Sequence, residues 1–273
     1  MASDSVAGWW ADFDAVDFDQ IDEYYEALVG AYLASDGESA VDDAVARFVA
    51  PVNKAYLEAA DPEQAVPHIL WDAWEVVVLA AEVSAGPAQE RLAELVAKIG
   101  DQSLPEHPDG RRDFTVWGNF RVYADRPAFG ANMREEWDLT FFGQNRPPEA
   151  WPNLNAFAAR LTVVGVDFSL YALWTLRDCL EEKEEASSAE LALVAQWFTI
   201  CGSLLASHSA RGYSPPEWDA AARVGELCTR QGITEGGFSP RRWKFWRSRL
   251  EAHAKGPDAD AHAALAAFNR AAG

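Results

Sequence analysis

A chain of 273 residues with 43 acidic against 23 basic side chains has a formal charge of −20, a field that repels phosphate backbones and anionic lipid surfaces and so argues against nucleic-acid and membrane-surface roles. Its hydrophobic fraction of 49% is that of an ordinary globular protein able to bury a core, which excludes wholesale disorder, while twelve tryptophans are several times the usual share. Three cysteines, Cys179, Cys201 and Cys228, are odd in number and far apart, which argues against a disulfide framework and suits a reducing, cytoplasmic setting.

The first 19 residues read as an acidic arm, with no basic segment leading into an apolar run and hence no expected secretory signal. Asp12, Asp14, Asp17, Asp19 and Asp22 lack the glycine and terminal glutamate of a calcium loop. Adjacent Trp9 and Trp10 are expected to latch the arm onto the body. Residues 20–34 and 39–60 show helical periodicity, the second interrupted at Pro51, and 62–84 follows with a start or kink at Pro67. An amphipathic helix over 87–99 begins with a proline and stops at Gly100.

Residues 101–130 are rich in Pro, Gly and Asp, and Phe114 to Trp117 is the one passable strand. A short helix is predicted around Asn132 to Asp138, then a Pro-rich loop, and helices near 153–164, 168–184, 188–207, 216–230, 240–254 and 258–271. The expected fold is all-α, a bundle of about ten or eleven helices with an irregular loop region in the middle. Residues 20–273 are expected to form one compact domain with a loop-rich middle at 101–150, because the uncharged stretches 168–176 and 191–207 need helices on every side. The stretch from Leu191 to Ser207 contains Gln196, Thr199, Gly202 and Ser203 and reads as the central helix of that bundle.

The sequence contains no phosphate-binding glycine loop, dinucleotide fingerprint, HExxH, CxxC or GxSxG motif. Cys201 and His208 find no second pair to complete a zinc site, and Asp42-Asp43 stands alone, so no metal or other cofactor is expected. What remains is charge in apolar surroundings. Arg160 lies in "NAFAARLTVVG", and Arg177 falls three residues after Trp174 and seven after Leu170, on a packing face. A buried guanidinium is costly unless paired, so each calls for several backbone carbonyls or for a carboxylate from among Asp167, Asp178, Glu135, Glu136, Asp138, Asp72, Glu75 and Glu82.

Two readings follow. In one, these are structural ion pairs and solvated faces. In the other, Arg134, Arg160 or Arg177 orients an anionic group in a cleft, and Glu135, Glu136 or Asp178 acts as general acid or base. Trp71, Trp74, Trp174 and Trp197 would line an aromatic pocket, or simply belong to the core, and Gln196 lies with Thr199 and Ser203 on a polar stripe that would contact a ligand or bond back to the preceding turn. Asn153 and Asn155, after a proline at a helix start, are candidates both for substrate contact and for N-capping.

The basic stretch Arg241 to Arg249, "RRWKFWRSR", carries five of the 23 basic residues and no acid. Ser239 and Pro240 mark a helix start, and Trp243, Trp246 and Leu250 form its predicted packed face, flanked or opposed by Arg242, Lys244 and Arg249. It is expected to dock through its tryptophans and to be clamped by the acidic body.

The segments "NMREEWD" (132–138), "WPNLNAFAARLT" (151–162), "DFSLYALWTLRDCLEE" (167–182), "VAQWFTICG" (194–202) and "GGFSPRRWKFWRSRLEAHA" (236–254), in this order, resemble a fungal helical family filed as domain of unknown function three-six-three-two. The resemblance spans roughly residues 20–255 and implies an intracellular, all-α protein of filamentous ascomycetes, with a tilt toward specialised metabolism because some members are encoded in biosynthetic gene clusters. It supplies no catalytic residues. The expectation is therefore a small-molecule-handling protein, leaning to an enzyme of isomerase or cyclase type that acts by acid–base means without metal or nucleotide. The competing expectation is a non-catalytic helical module whose acidic surface recruits a protein partner. A homo-oligomer is compatible with either.

Overall fold

The structure is a computed structural model that describes residues 21–35, 37, 39–111, 113–143 and 146–272. The expectations for the acidic arm and for Trp9 and Trp10 lie outside the described residues. Eleven α-helices, one 3-10 helix and a two-stranded hairpin make up the described secondary structure. The chain clusters into two compact units, the first ending at Trp151 and the second running from Pro152 to Gly273.

The first unit contains α1 (Ile21–Ala34), α2 (Ala40–Glu58), α3 (Pro62–Glu82), α4 (Pro87–Gly100), the strands β1 (Thr115–Val116) and β2 (Phe120–Arg121), and α5 (Pro127–Phe141). α3 is its centre, packing against α1, α2 and α5. Its start is fixed by Asp61, whose carboxylate accepts from the Gln64 N–H at 3.2 Å, with Pro62 at the first helical position. Tyr25, Phe48, Trp74 and Phe129 run through the core as a chain of rings with centroids 5.1, 4.7 and 5.0 Å apart.

α2 passes through Pro51 without the expected interruption. Val49, Pro51 and Val52 are all buried, so packing outweighs one lost backbone hydrogen bond. α5 is twice the predicted length. Pro127 opens it directly after Arg126, whose left-handed backbone (φ 47°) is anchored by guanidinium bonds to the carbonyls of Val96 (3.0 Å), Ala97 (3.1 Å) and Ala124 (3.1 Å). Gly100 leaves room for that guanidinium, which a Cβ there would strike.

The break between the units falls in the first turn of α6 (Ala150–Val163). It is followed by α7 (Ser169–Leu180), α8 (Ser188–Arg211), a 3-10 helix (Pro216–Ala222), α9 (Glu226–Arg230), α10 (Pro240–His253) and α11 (Ala259–Ala272). Ser187 and Glu190 form a full capping box at the start of α8, and Gly212 (φ 68°) ends it. α8 is long and apolar enough to cross a membrane by length and composition alone, with a mean hydropathy of 1.5 over its best window, and it packs along α11. It bends at Cys201 (φ −126°), and a Cβ on the next residue, Gly202, would stand 2.6 Å from the Ala271 Cβ. Gly202 therefore sets how closely α8 and α11 approach. The segment 216–230 is not the single helix its periodicity suggests. It breaks after Ala222 because Gly225 is pressed onto Glu181, where a Cβ would lie 2.6 Å from the Glu181 Cβ.

Candidate functional site

In the first unit, α3 carries Asp72, Glu75 and Glu82 as a polar stripe, and α5 turns Glu136 inward while leaving Glu135 exposed. Arg146, from the Pro-rich loop after α5, reaches both buried carboxyls: Nη2 donates to Glu136 Oε2, and Nε lies 3.6 Å from Glu82 Oε2. The Glu82 and Glu136 side chains are 3% and 7% exposed, while Arg146 keeps 25% of its side chain in solvent, so the cluster has one accessible end. Burial pushes the Glu82 carboxyl up to about 7, assisted by a hydrogen bond and charge from Glu136 and opposed by Arg146. Glu75 and Asp72 are also raised, chiefly by burial. The structure thus brings together two expected residues, Glu136 and Glu82, with an arginine that the sequence hid in a loop. Arg134 instead bonds Asp138 one turn along at 2.9 Å, on the surface.

The second unit holds the other candidates. α6 begins at Ala150, which puts Asn153 and Asn155 inside the helix rather than at its cap. Asn155 is fully buried, and its Oδ1 accepts from Thr175 Oγ1 (2.8 Å) and from Trp197 Nε1 (2.9 Å). That node joins α6, α7 and α8. We expect Trp197→Phe to cost about 1–3 kcal/mol in chemical denaturation, because it strips a buried acceptor of one donor while keeping most of the ring. A loss indistinguishable from zero would show that the node contributes no stability.

Trp174 and Arg177 both donate to the Ala221 carbonyl, at 3.0 and 3.2 Å, and Arg177 Nε also lies 3.4 Å from Asp178. Glu182 links this group to Arg223 at 3.0 Å. Burial raises the Asp178 carboxyl and Arg177 opposes the shift. Arg160 is half-buried and bonds the Ala156 carbonyl of its own helix at 3.4 Å. Gln196 is half-buried on α8, with its Oε1 enclosed. Of the tryptophans read as core or pocket, Trp74 and Trp197 are fully buried, whereas Trp71 and Trp174 are only half-buried.

One site-like constellation escaped the sequence reading. Arg242, expected beside or opposite the packed face of α10, is fully buried together with Glu181. Nε and Nη2 of Arg242 grip the two Glu181 oxygens at 2.6 and 3.1 Å, Trp246 Nε1 donates to the same carboxylate at 2.6 Å, and the Gly225 N–H adds a fourth bond at 2.7 Å. The remaining guanidinium donors go to the carbonyls of Ala222, Gly237 and Arg223. Every strong group here is satisfied internally, which marks a structural clamp rather than a reactive centre. The packed face is accordingly Arg242, Phe245, Trp246 and Leu250, with Trp243 half-buried and stacked on Phe268 at 4.3 Å.

Hollows of about 560, 370 and 350 Å³ open among the described residues, and none of these three is lined by any of the eleven residues singled out as catalytic or substrate-binding. No curated protein and no solved structure matches the chain. A family model described as "Protein of unknown function (DUF3632)" matches residues 74–250, well over half of the sequence and a range that runs from within α3 through most of α10. The chain belongs to this family.

Proposed function

We propose that the chain handles a small molecule by acid–base chemistry, with Glu82 and Glu136 as the pair that gives and takes a proton and Arg146 as the cation that orients an anionic group. The observation that carries this is geometric, two buried carboxyls gathered on one partly exposed arginine, with the consequence that burial pushes the Glu82 carboxyl up to about 7. Burial beside a second carboxyl keeps the Glu82 carboxyl partly protonated near neutral pH, so it holds a proton that it can give up and regain. Arg146 is the partly exposed member and the natural first contact for a substrate. A cytoplasmic isomerisation, cyclisation or condensation in specialised metabolism is the setting that belongs to this proposal. The reading gives Arg177, Asp178, Asn155 and Trp197 structural parts.

Metabolite profiling of the native host tests it, with the gene deleted, restored as wild type, and restored as Glu136→Gln. The expected result is a metabolite change on deletion that wild type reverses and the folded Glu136→Gln chain does not; full reversal by Glu136→Gln would refute the assignment.

Glu82 also makes a stability prediction. Its folded pKa lies above its ordinary 4.5, so the folded state holds a proton that the unfolded chain has lost, and the stabilisation present below about 4.5 drains away as pH rises through about 7. Wild type should lose up to roughly 1.4 kcal/mol per pH unit relative to Glu82→Gln across that window. Asp72 and Glu75 shift in the same direction, so the difference between the two proteins, not the wild-type slope, is the quantity to read. Parallel stability curves for the two proteins would contradict a raised Glu82.

A second reading, a helical module that recruits a protein partner, draws on Trp117 and Phe120, which are 51% and 46% exposed on the hairpin. Cross-linking from an unnatural amino acid at position 120 in cells distinguishes it.

A further inference from the structure

We infer that the 560 Å³ hollow in the irregular middle of the first unit is a binding site for a planar aromatic monocarboxylate, a site built from none of the residues of the acid–base proposal. Its size is that of a small-ligand pocket. Tyr56 and Phe114 form an aromatic wall with ring centroids 5.0 Å apart, and the Tyr56 ring is backed by His107, also at 5.0 Å. Tyr123, buried and fixed through its hydroxyl to Asn53 at 2.7 Å, also lines the hollow. Such walls offer π-faces to a flat ring.

Arg111 and Arg121 also line it, with side chains 43% and 72% exposed. Each commits Nε and Nη2 to one aspartate, Asp109 for Arg111 and Asp125 for Arg121, at 2.7 to 3.2 Å. The Nη1 of each makes no hydrogen bond to another described residue. The aspartates therefore fix the planes of two guanidiniums whose outer donors remain unused, an arrangement suited to a carboxylate at little ordering cost. Glu106 on the same lining and the charge of −20 disfavour a polyanion such as a nucleotide diphosphate, which selects a monoanion.

The test is a titration of the full-length isotope-labelled chain with 2-naphthoate and, separately, with its neutral isostere 2-naphthylmethanol, followed by NMR. The expected result is that resonances of Tyr56, Phe114 and Tyr123 move, that naphthoate binds roughly tenfold more tightly than the alcohol, and that Arg111→Gln/Arg121→Gln abolishes this preference while retaining alcohol binding. Equal affinity of the two probes for wild type, or no movement at those three residues, would overturn the inference. The wild-type comparison stands even if the double variant fails to fold.

Discussion

Replacing Arg242 with alanine should cost about 3–5 kcal/mol of stability, read by urea or thermal unfolding, because it leaves Glu181 as an uncompensated charge in a site with no exposure. The pair is bidentate and fully desolvated, and its surroundings were built around it: Trp246 and Gly225 both donate to the same carboxylate, so its loss of balance reaches α7, α9 and α10 together. Removing both charges, as Glu181→Leu with Arg242→Met, should recover only part of the loss. The hydrophobic swap abolishes the buried charge, but it orphans the Trp246 indole and the Gly225 N–H, each worth about 1–3 kcal/mol when left unpaired. A loss under about 1 kcal/mol for the single variant would mean that water reaches the pair and that it is not the clamp described.

Trp74→Ala should be comparably severe, about 3–5 kcal/mol, since it empties the centre of the ring chain between Phe48 and Phe129. Trp74→Phe should be mild, because the indole Nε1 of Trp74 makes no hydrogen bond among the described residues and a phenyl ring preserves the aromatic contacts. The contrast with Trp197→Phe isolates what an indole N–H contributes. If Trp74→Phe proved the more damaging of the two, the hydrogen-bond explanation would fail and cavity volume alone would govern both sites.

Much of this fold is legible in the sequence because helices write their buried stripe every three to four residues, and the all-α class follows from that periodicity. The misses have physical causes. Composition made 127–130 read as loop, when Pro127 is a first-turn residue held in place by Arg126, two of whose three anchoring carbonyls lie some thirty residues earlier in α4. Pro51 read as an interruption because local propensity says nothing about how well its neighbours pack. The break within 216–230 depends on Gly225 meeting Glu181, a contact 44 residues apart in the chain.

The candidate site was half legible. Glu136 and Glu82 stand out as acids on apolar helices, but Arg146 sits in a Pro-rich loop whose path no periodicity encodes. Arg242 was missed for a different reason. Counting charges as flanking made it part of the solvated face, although it lies one turn before Trp246 and two before Leu250, so the i, i+4, i+8 spacing already placed it on the buried side. A basic residue in register with a tryptophan face, rather than the excess of basic residues, was the informative signal.

The most direct measurement is a carbon-13 NMR titration of the glutamate carboxyls, with Glu82 assigned by its disappearance in Glu82→Gln. A midpoint of about 7 for Glu82 is the predicted result, and it would establish a proton available for exchange at neutral pH beside Glu136 and Arg146. A midpoint near the ordinary 4.5 would mean that Glu82 is simply ionised there, and the acid–base proposal would fall with it.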